Sequence, residues 1–403
     1  MPRYAAPMGI ERSGTPAGPR VALVHDFLLD VRGAERVFLE LCRMWPEADI
    51  FTAIYDEHGT EGRFAERRVH TSFLQKLRPS ARTFRTLLPL YPAAIESLDL
   101  SAYDLVVSSS SAWAHAVLCD EQTIHVSYCH NPFRYAWNDR EQTLARHGPF
   151  GRAALRLAFG RWRQWDWIAA QRTDRYVANS EVTRARISAY FGRESVVVHP
   201  PVQLERFSPG RVGDHYVVLS ELMVHKQIET AVSAFTSLGR PLVVVGDGPD
   251  ERRLRRLAGP SVRFAGRLSD AAVAEVLQSA RALVVTSIEE FGIAAVESQA
   301  AGRPVIAHRG GGALETVRDG VTGRLWSGGP QELAAAVADF DDGAIDPQDC
   351  VDQARRFGSE NFRRGIKREV ADAIAAGSRL DGAPRRPLAS TRLVRRAARD
   401  PHR

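Results

Sequence analysis

Leu283-Val284-Val285-Thr286-Ser287-Ile288-Glu289-Glu290-Phe291-Gly292-Ile293-Ala294-Ala295-Val296-Glu297-Ser298-Gln299-Ala300-Ala301 divides into three parts. Residues 283–286 form a short β-branched run without strict polar alternation, which suits a strand buried on both faces of a parallel sheet. Residues 293–301 carry the pattern of a helix. Between them lies a polar loop that ends in Gly292. A strand, a short loop and a helix are half of a βαβ unit, and that unit repeated builds a doubly wound open sheet.

The repeat extends on both sides of this stretch. Strands are expected at 216–219, 242–245, 262–264 and 304–307, with helices at about 229–235, 250–257 and 270–278 filling the gaps. The first half shows the same alternation less cleanly. Strands are expected at 21–25, 105–108, 124–129, 176–178 and 196–198, and a helix at about 35–44 follows the turn Arg32-Gly33-Ala34-Glu35. Residues 198–213 are rich in proline and glycine and read as a linker. The expected fold class is α/β, with two doubly wound, Rossmann-like parallel-sheet domains. Ligands of such sheets bind at the carboxyl ends of the strands, so a cleft between the two domains is the expected site.

The expected organisation is a disordered leader at 1–19, a first Rossmann-like domain at 20–203 and a second at 204–347. Helices at 348–376 and a basic, disordered tail at 377–403 complete it. A length of 403 residues fits two cores. With 44% apolar and 25% charged residues the composition is that of an ordinary globular chain. No run approaches the ~20 apolar residues of a spanning helix, and residues 1–18 have no apolar core of a secretory signal. Cys42, Cys119, Cys129 and Cys350 have no zinc-like spacing and read as reduced thiols of a cytoplasmic protein. A net charge of +6 is too mild to imply a nucleic-acid partner.

The chemistry centres on the opening stretch. Gly292 stands where a helix begins, and a helix N-terminus with free N–H groups suits a diphosphate. Glu289, on the preceding loop, can accept hydrogen bonds from sugar hydroxyls. Glu297, one to two turns into the helix, can hold a ribose diol as acidic residues do in other nucleotide sites.

Glu289, seven intervening residues and Glu297, with Phe291-Gly292 between, resemble the signature of the retaining glycosyltransferases of family 4, which have the GT-B fold. The resemblance covers about residues 21–376. It implies that Gly33 and Ala34 form a loop that lets backbone approach the donor, although the usual pair is Gly-Gly. It implies that His130 lies against the transferred sugar and that Lys226 neutralises the leaving pyrophosphate. Glu289, Phe291, Gly292, Ile293 and Glu297 are then further donor-binding positions. Gly246-Asp247-Gly248-Pro249 and Gly310-Gly311-Gly312 resemble turns that admit the nucleotide, with Arg309 and Glu315 as surface residues. Arg134, within Arg134-Tyr135-Ala136-Trp137, resembles the branch that builds cell-envelope polysaccharides, often with mannose, and stands ready to contact donor or acceptor.

One position departs from the family. Glu221 stands where an arginine is usual, and a carboxylate beside phosphate repels it. Either Glu221 points away, or it pairs with Lys226, or another arginine such as Arg184 or Arg186 supplies the charge. Lysine is scarce here: Lys76, Lys226 and Lys367 are the three among 54 basic residues.

The resemblance implies a nucleoside-diphosphate sugar donor, in first place GDP-mannose, a lipid-linked or glycan acceptor, and neither metal nor other cofactor. Basic and aromatic stretches at 63–85 and 152–175, the latter with Trp162, Trp165 and Trp167, suit an anionic membrane surface or a solvated helix face equally. Two other readings share the fold: a sugar-nucleotide epimerase, and an inactive donor-binding subunit.

Overall fold

A strand covered on both faces needs no polar side, and the central strands of this chain have that character: every residue of Leu105–Ser110 and Ile124–Cys129 is buried. The computed structural model describes residues 18–80, 83–145 and 147–378. Its strands form two all-parallel sheets. The first contains β1 (Val21–His25), β2 (Asp49–Thr52), β3 (Val69–Thr71), β4 (Leu105–Ser110), β5 (Ile124–Cys129), β6 (Arg175–Ala178) and β7 (Ser195–Val197), in the order β3-β2-β1-β4-β5-β6-β7. The second contains β8 (Tyr216–Leu219), β9 (Leu242–Val245), β10 (Val262–Gly266), β11 (Leu283–Val285), β12 (Val305–His308) and β13 (Gly323–Trp326), in the order β10-β9-β8-β11-β12-β13. In each sheet the winding reverses beside the first strand, between β1 and β4 and between β8 and β11. Those reversals open the crevices in which ligands of doubly wound sheets sit.

Four strands stand at the residues expected, and the others move by one or two positions at one end or both. β2, β3 and β13 were not legible beforehand. β2 opens on Asp49, β3 has three residues, and β13 opens on a glycine. Gly323 is needed there because a Cβ would come within 2.0 Å of the Val305 carbonyl oxygen.

Asp26, just past β1, locks the first crevice. Its buried carboxylate accepts backbone N–H bonds from Ser111 (2.6 Å), Ala112 (3.1 Å), Trp113 (2.6 Å) and Ala114 (2.6 Å). Charge-assisted bonds of this kind hold the loop after β4 against the end of β1.

The chain leaves β7, builds the second sheet and returns. The returning segment pairs with the outgoing one where Val202 N–H donates to the Phe357 carbonyl at 2.9 Å. The 348–376 region forms two helices, Pro347–Arg355 and Ser359–Ser378. The first packs on the helix Ile293–Ala300, the second on β5 and β6. Phe362, Ile366, Val370 and Ala373 recur at helical spacing and join the core of the first sheet with Leu23, Val107 and Tyr128. Gly377 and Ser378 close this last helix; the rest of the expected tail, and residues 1–17 of the expected leader, lie outside the described residues.

Phe362 is 1% exposed and meets the Tyr128 ring edge-on at 5.4 Å. Phe362→Ala should therefore lower the stability of the first domain by about 3 kcal/mol, read as an earlier urea midpoint. A shift below about 1 kcal/mol would mean that the returning helix is not part of that core.

Candidate active site

The carboxyl ends of second-sheet strands and the start of the helix after β1 line one cavity of about 380 Å³, within the range of small-molecule sites. Arg32, Gly33 and Arg36 enter it from the helix that follows β1. Glu221, Lys226, Asp247, Glu289, Gly292, Ile293 and Glu297 enter it from the second sheet. Two helix N-termini, those of Gly33–Met44 and Ile293–Ala300, approach each other there; a Cβ on Gly33 would lie 3.4 Å from Ile293 Cδ1. Gly292 starts the second helix at φ +89°, a left-handed conformation that glycine adopts without steric cost.

Glu289 is the focus of the second side. Lys226 Nζ lies 2.5 Å from its Oε2, and Ser287 Oγ donates to its Oε1 at 2.5 Å. Burial pushes the Glu289 carboxyl up, but the Lys226 charge, the Lys226 and Ser287 hydrogen bonds and the Arg134 charge together hold it below its ordinary value. Glu297 goes the other way. Burial raises it, and the Arg36 and Arg206 charges only partly offset that rise, to which Asp270 adds. Arg206 Nη1 stands 3.7 Å from Glu297 Oε1.

The loop that carries Glu289 is held from beneath by the glycine run. Gly312 N–H donates to the Glu289 carbonyl at 2.9 Å. A Cβ on Gly312 would come within 2.2 Å of the Phe291 carbonyl oxygen, and one on Gly311 within 2.2 Å of the Glu289 carbonyl oxygen. These glycines permit backbone-to-backbone contact, a correction to their reading as turns that admit the nucleotide. Gly246 does line the cavity. Phe291 does not line it: its ring is buried against His199 and Phe357. Ala34 also stays outside the lining, behind Gly33.

His130 follows the last residue of β5 and is not among the residues that line the cavity. Its Nε2 lies 2.9 Å from Ser109 Oγ, and the same oxygen lies 3.1 Å from His25 Nδ1. His25 Nε2 in turn faces Glu35 Oε1 at 3.5 Å, while Glu35 Oε2 accepts the Arg32 N–H at 2.9 Å. A buried polar row thus runs from the helix start at Arg32 to His130. Burial, with the His25 charge adding, pushes the His130 imidazole down to about 3, so it is neutral near pH 7.

Residues 31–206 match the profile Glycosyltransferase Family 4, and residues 202–357 match Glycosyl transferases group 1. The chain belongs to this family of glycosyltransferases. A D-inositol 3-phosphate glycosyltransferase of Acidothermus cellulolyticus is 32% identical over 271 residues, covering 57% of this chain and 58% of that protein. A GDP-mannose-dependent alpha-(1-6)-phosphatidylinositol monomannoside mannosyltransferase of Mycolicibacterium smegmatis is 28% identical over 262 residues, 51% of this chain and 66% of that protein. The chain thus spans about half to two thirds of the length of such relatives. Its GT-B fold is shared with sucrose-phosphate synthase of Thermosynechococcus elongatus, at a TM-score of 0.70 and 17% identity over 89% of this chain and 100% of that one.

Within this family-4 glycosyltransferase, several charges fall otherwise than expected. Glu221 neither points away nor reaches Lys226; it meets Arg32 Nη1 at 2.6 Å. Arg184 is at the surface, paired with Glu181 at 2.6 Å, and supplies no charge to the cavity. Arg134 and Arg186 both hold Glu290 Oε1, each at 2.9 Å, which joins the two domains beside Glu289. Glu315 is not a surface residue: it bonds His199 at 2.8 Å and the Glu181 N–H at 3.0 Å. Asp339 and Asp341, an Asp-x-Asp pair by spacing, follow the helix Pro330–Ala338 and lie outside the cavity lining. Arg32, Arg36, Arg206 and Asp270 were not singled out beforehand. Arg32 and Arg36 flank Gly33 on the loop already read as facing the donor, which was the available signal. Arg206 and Asp270, 64 residues apart and 3.3 Å from each other in space, carried none.

Gly312→Ala should displace the Glu289 loop and reduce turnover by about 100-fold or more without unfolding the chain. Steady-state kinetics beside a circular-dichroism melt would check it. Wild-type turnover in a folded G312A protein would show that the contact beneath Glu289 is dispensable.

Proposed function

We propose that the chain is a retaining glycosyltransferase that moves a sugar from a nucleoside-diphosphate donor to a lipid-linked or polysaccharide acceptor, with mannose from GDP-mannose as the first candidate. The observation that carries this reading is the Lys226–Glu289 pair beside the N-terminus of Ile293–Ala300, in a cleft between two doubly wound domains. The named activity of the mycobacterial relatives supports the choice of GDP-mannose.

In this reading the donor diphosphate lies toward Lys226 and the Gly292 N-terminus, where an ammonium and free N–H groups stabilise the charge that builds as it leaves. The sugar becomes oxocarbenium-like, and the acceptor attacks from the face the diphosphate vacates, which retains configuration. Glu289, kept ionised, orients the sugar and faces its growing positive charge. His130, kept neutral, hydrogen-bonds a hydroxyl without opposing that charge. Glu297, whose carboxyl burial raises, holds the ribose side. No step calls for a metal or another cofactor. Closure across Arg134–Glu290 keeps water from the donor.

A panel of GDP-, UDP- and dTDP-sugars, read by melting-temperature shift and by release of nucleoside diphosphate, tests the reading. One donor should respond. Binding without release, even with membrane extract, would indicate an inactive subunit, and an altered sugar formed without acceptor would indicate an epimerase. Glu289→Gln should reduce turnover by about 100-fold or more while nucleotide affinity changes little. Equal turnover in E289Q would remove Glu289 from its role.

The working place we infer is the cytoplasmic face of the plasma membrane. No helix among the described residues is long and apolar enough to cross a membrane. Trp162 and Trp165 pack on the buried Trp113, so they belong to the core. Phe73, Leu77, Leu90, Leu157 and Phe150, the last 93% exposed, remain outside, with Lys76, Arg78, Arg85 and Arg156 exposed among them. Their two segments pack on one core cluster, and apolar tips set among cations suit an anionic interface. The protein should sediment with phosphatidylserine vesicles, and F150A/L157A should do so less; no binding by the parent protein would retire the membrane surface.

A further inference from the structure

Glu221 is where the chain departs from its family, and its partner lies in the opposite domain. Its carboxylate meets Arg32 Nη1 at 2.6 Å. Arg32 caps the helix Gly33–Met44 of the first domain and also holds Asp30; Glu221 follows β8 of the second. Both side chains line the cavity that holds Lys226 and Glu289.

The cavity lining contains five cations, Arg32, Arg36, Arg206, Lys226 and Arg267, and five carboxylates, Glu221, Asp247, Asp270, Glu289 and Glu297. Counted as formal charges, these cancel. A diphosphate adds two negative charges and would meet the Glu221 carboxylate as a repelling neighbour.

We propose that Arg32 is a ligand of the donor diphosphate, supplied from the first domain, and that Glu221 holds its guanidinium until phosphate takes it. This rests on the reading of the cleft as a nucleoside-diphosphate-sugar site. The planar fork of arginine binds phosphate oxygens through paired N–H bonds, so Arg32 has more to gain from phosphate than from Glu221. The pair is also exchangeable. Arg32 keeps 40% and Glu221 31% of its side chain exposed, and ion pairs that open to water are weak. Once released, Glu221 turns to the solvent side on which it already borders. The cation that the family usually carries at position 221 is thus delivered by position 32, and only when the two domains face each other. Donor binding and domain closure become one event.

The experiment is titration of the full-length protein with GDP, UDP and dTDP by calorimetry, for wild type, Arg32→Ala, Glu221→Gln and the double variant. With the nucleotide that wild type prefers, R32A should bind about tenfold more weakly and E221Q about threefold more tightly. In the R32A background the gain of E221Q should no longer come from a freed guanidinium, so the two substitutions should be non-additive. A pair that only ties the domains together predicts loss of affinity in both single variants, and that outcome overturns the proposal. An unchanged constant for R32A also overturns it, with the donor site left intact. Should R32A fail to fold, Arg32→Lys keeps the charge without the fork and should still weaken binding; a wild-type constant in R32K overturns the proposal. Wild type that binds none of the three nucleotides overturns the donor-site reading itself.

Discussion

A carboxylate that must stay ionised in a half-closed cleft needs a cation, and Lys226 gives Glu289 that partner at 2.5 Å. Burial alone would favour the neutral acid. Lys226, Ser287 and the charge of Arg134 reverse that preference, so the loop after β11 presents negative charge at neutral pH. Much else in the second domain follows from placing this loop. Gly311 and Gly312 admit its backbone at distances no side chain would allow, Phe291 anchors it in the core, and Gly292 turns it into the next helix.

Parallel sheets impose the rest. In each domain all strand C-termini, and therefore all following helix N-termini, lie along one edge. Facing two such edges brings partial positive charge from both sides into one cavity. The carboxylates there offset that field while it is empty. Arg32–Glu221, Arg36–Asp270 and Arg134–Glu290 all cross between the domains. They lie at the cavity or beside it, whereas the returning helix Ser359–Ser378 packs its apolar side chains into the core of the first sheet. Stability and site chemistry are thus assigned to different contacts.

The first domain contributes a quieter kind of order. His25, Ser109 and His130 share one hydroxyl oxygen, and Glu35 closes the row at the helix start. A serine hydroxyl has one proton to donate, so the two imidazoles cannot both accept from it. The orientation of His130 therefore depends on residues at the end of β1 and on β4. Asp26 clamps the same two strand ends with four backbone bonds.

The sequence by itself determined the parallel α/β architecture, most strand positions and the strand–loop–helix turn that carries Glu289, Gly292 and Glu297, while the family resemblance added Gly33 and Lys226 to the same cavity. Those features are local: β-branched runs, helix spacing and a glycine at a helix start are written within a few residues. β2 and β13 escaped because they open on an aspartate and a glycine, and β3 because it has three residues; there neighbours rather than propensity decide. Only the tertiary structure decided which charges meet. Arg32 lies 189 positions from Glu221 and Arg134 lies 156 from Glu290, and nothing in either segment names the other. The same holds for Trp162 and Trp165, read as surface aromatics until the fold placed Trp113 beneath them. Charge pairing and aromatic packing depend on distance in space, which a linear pattern does not contain.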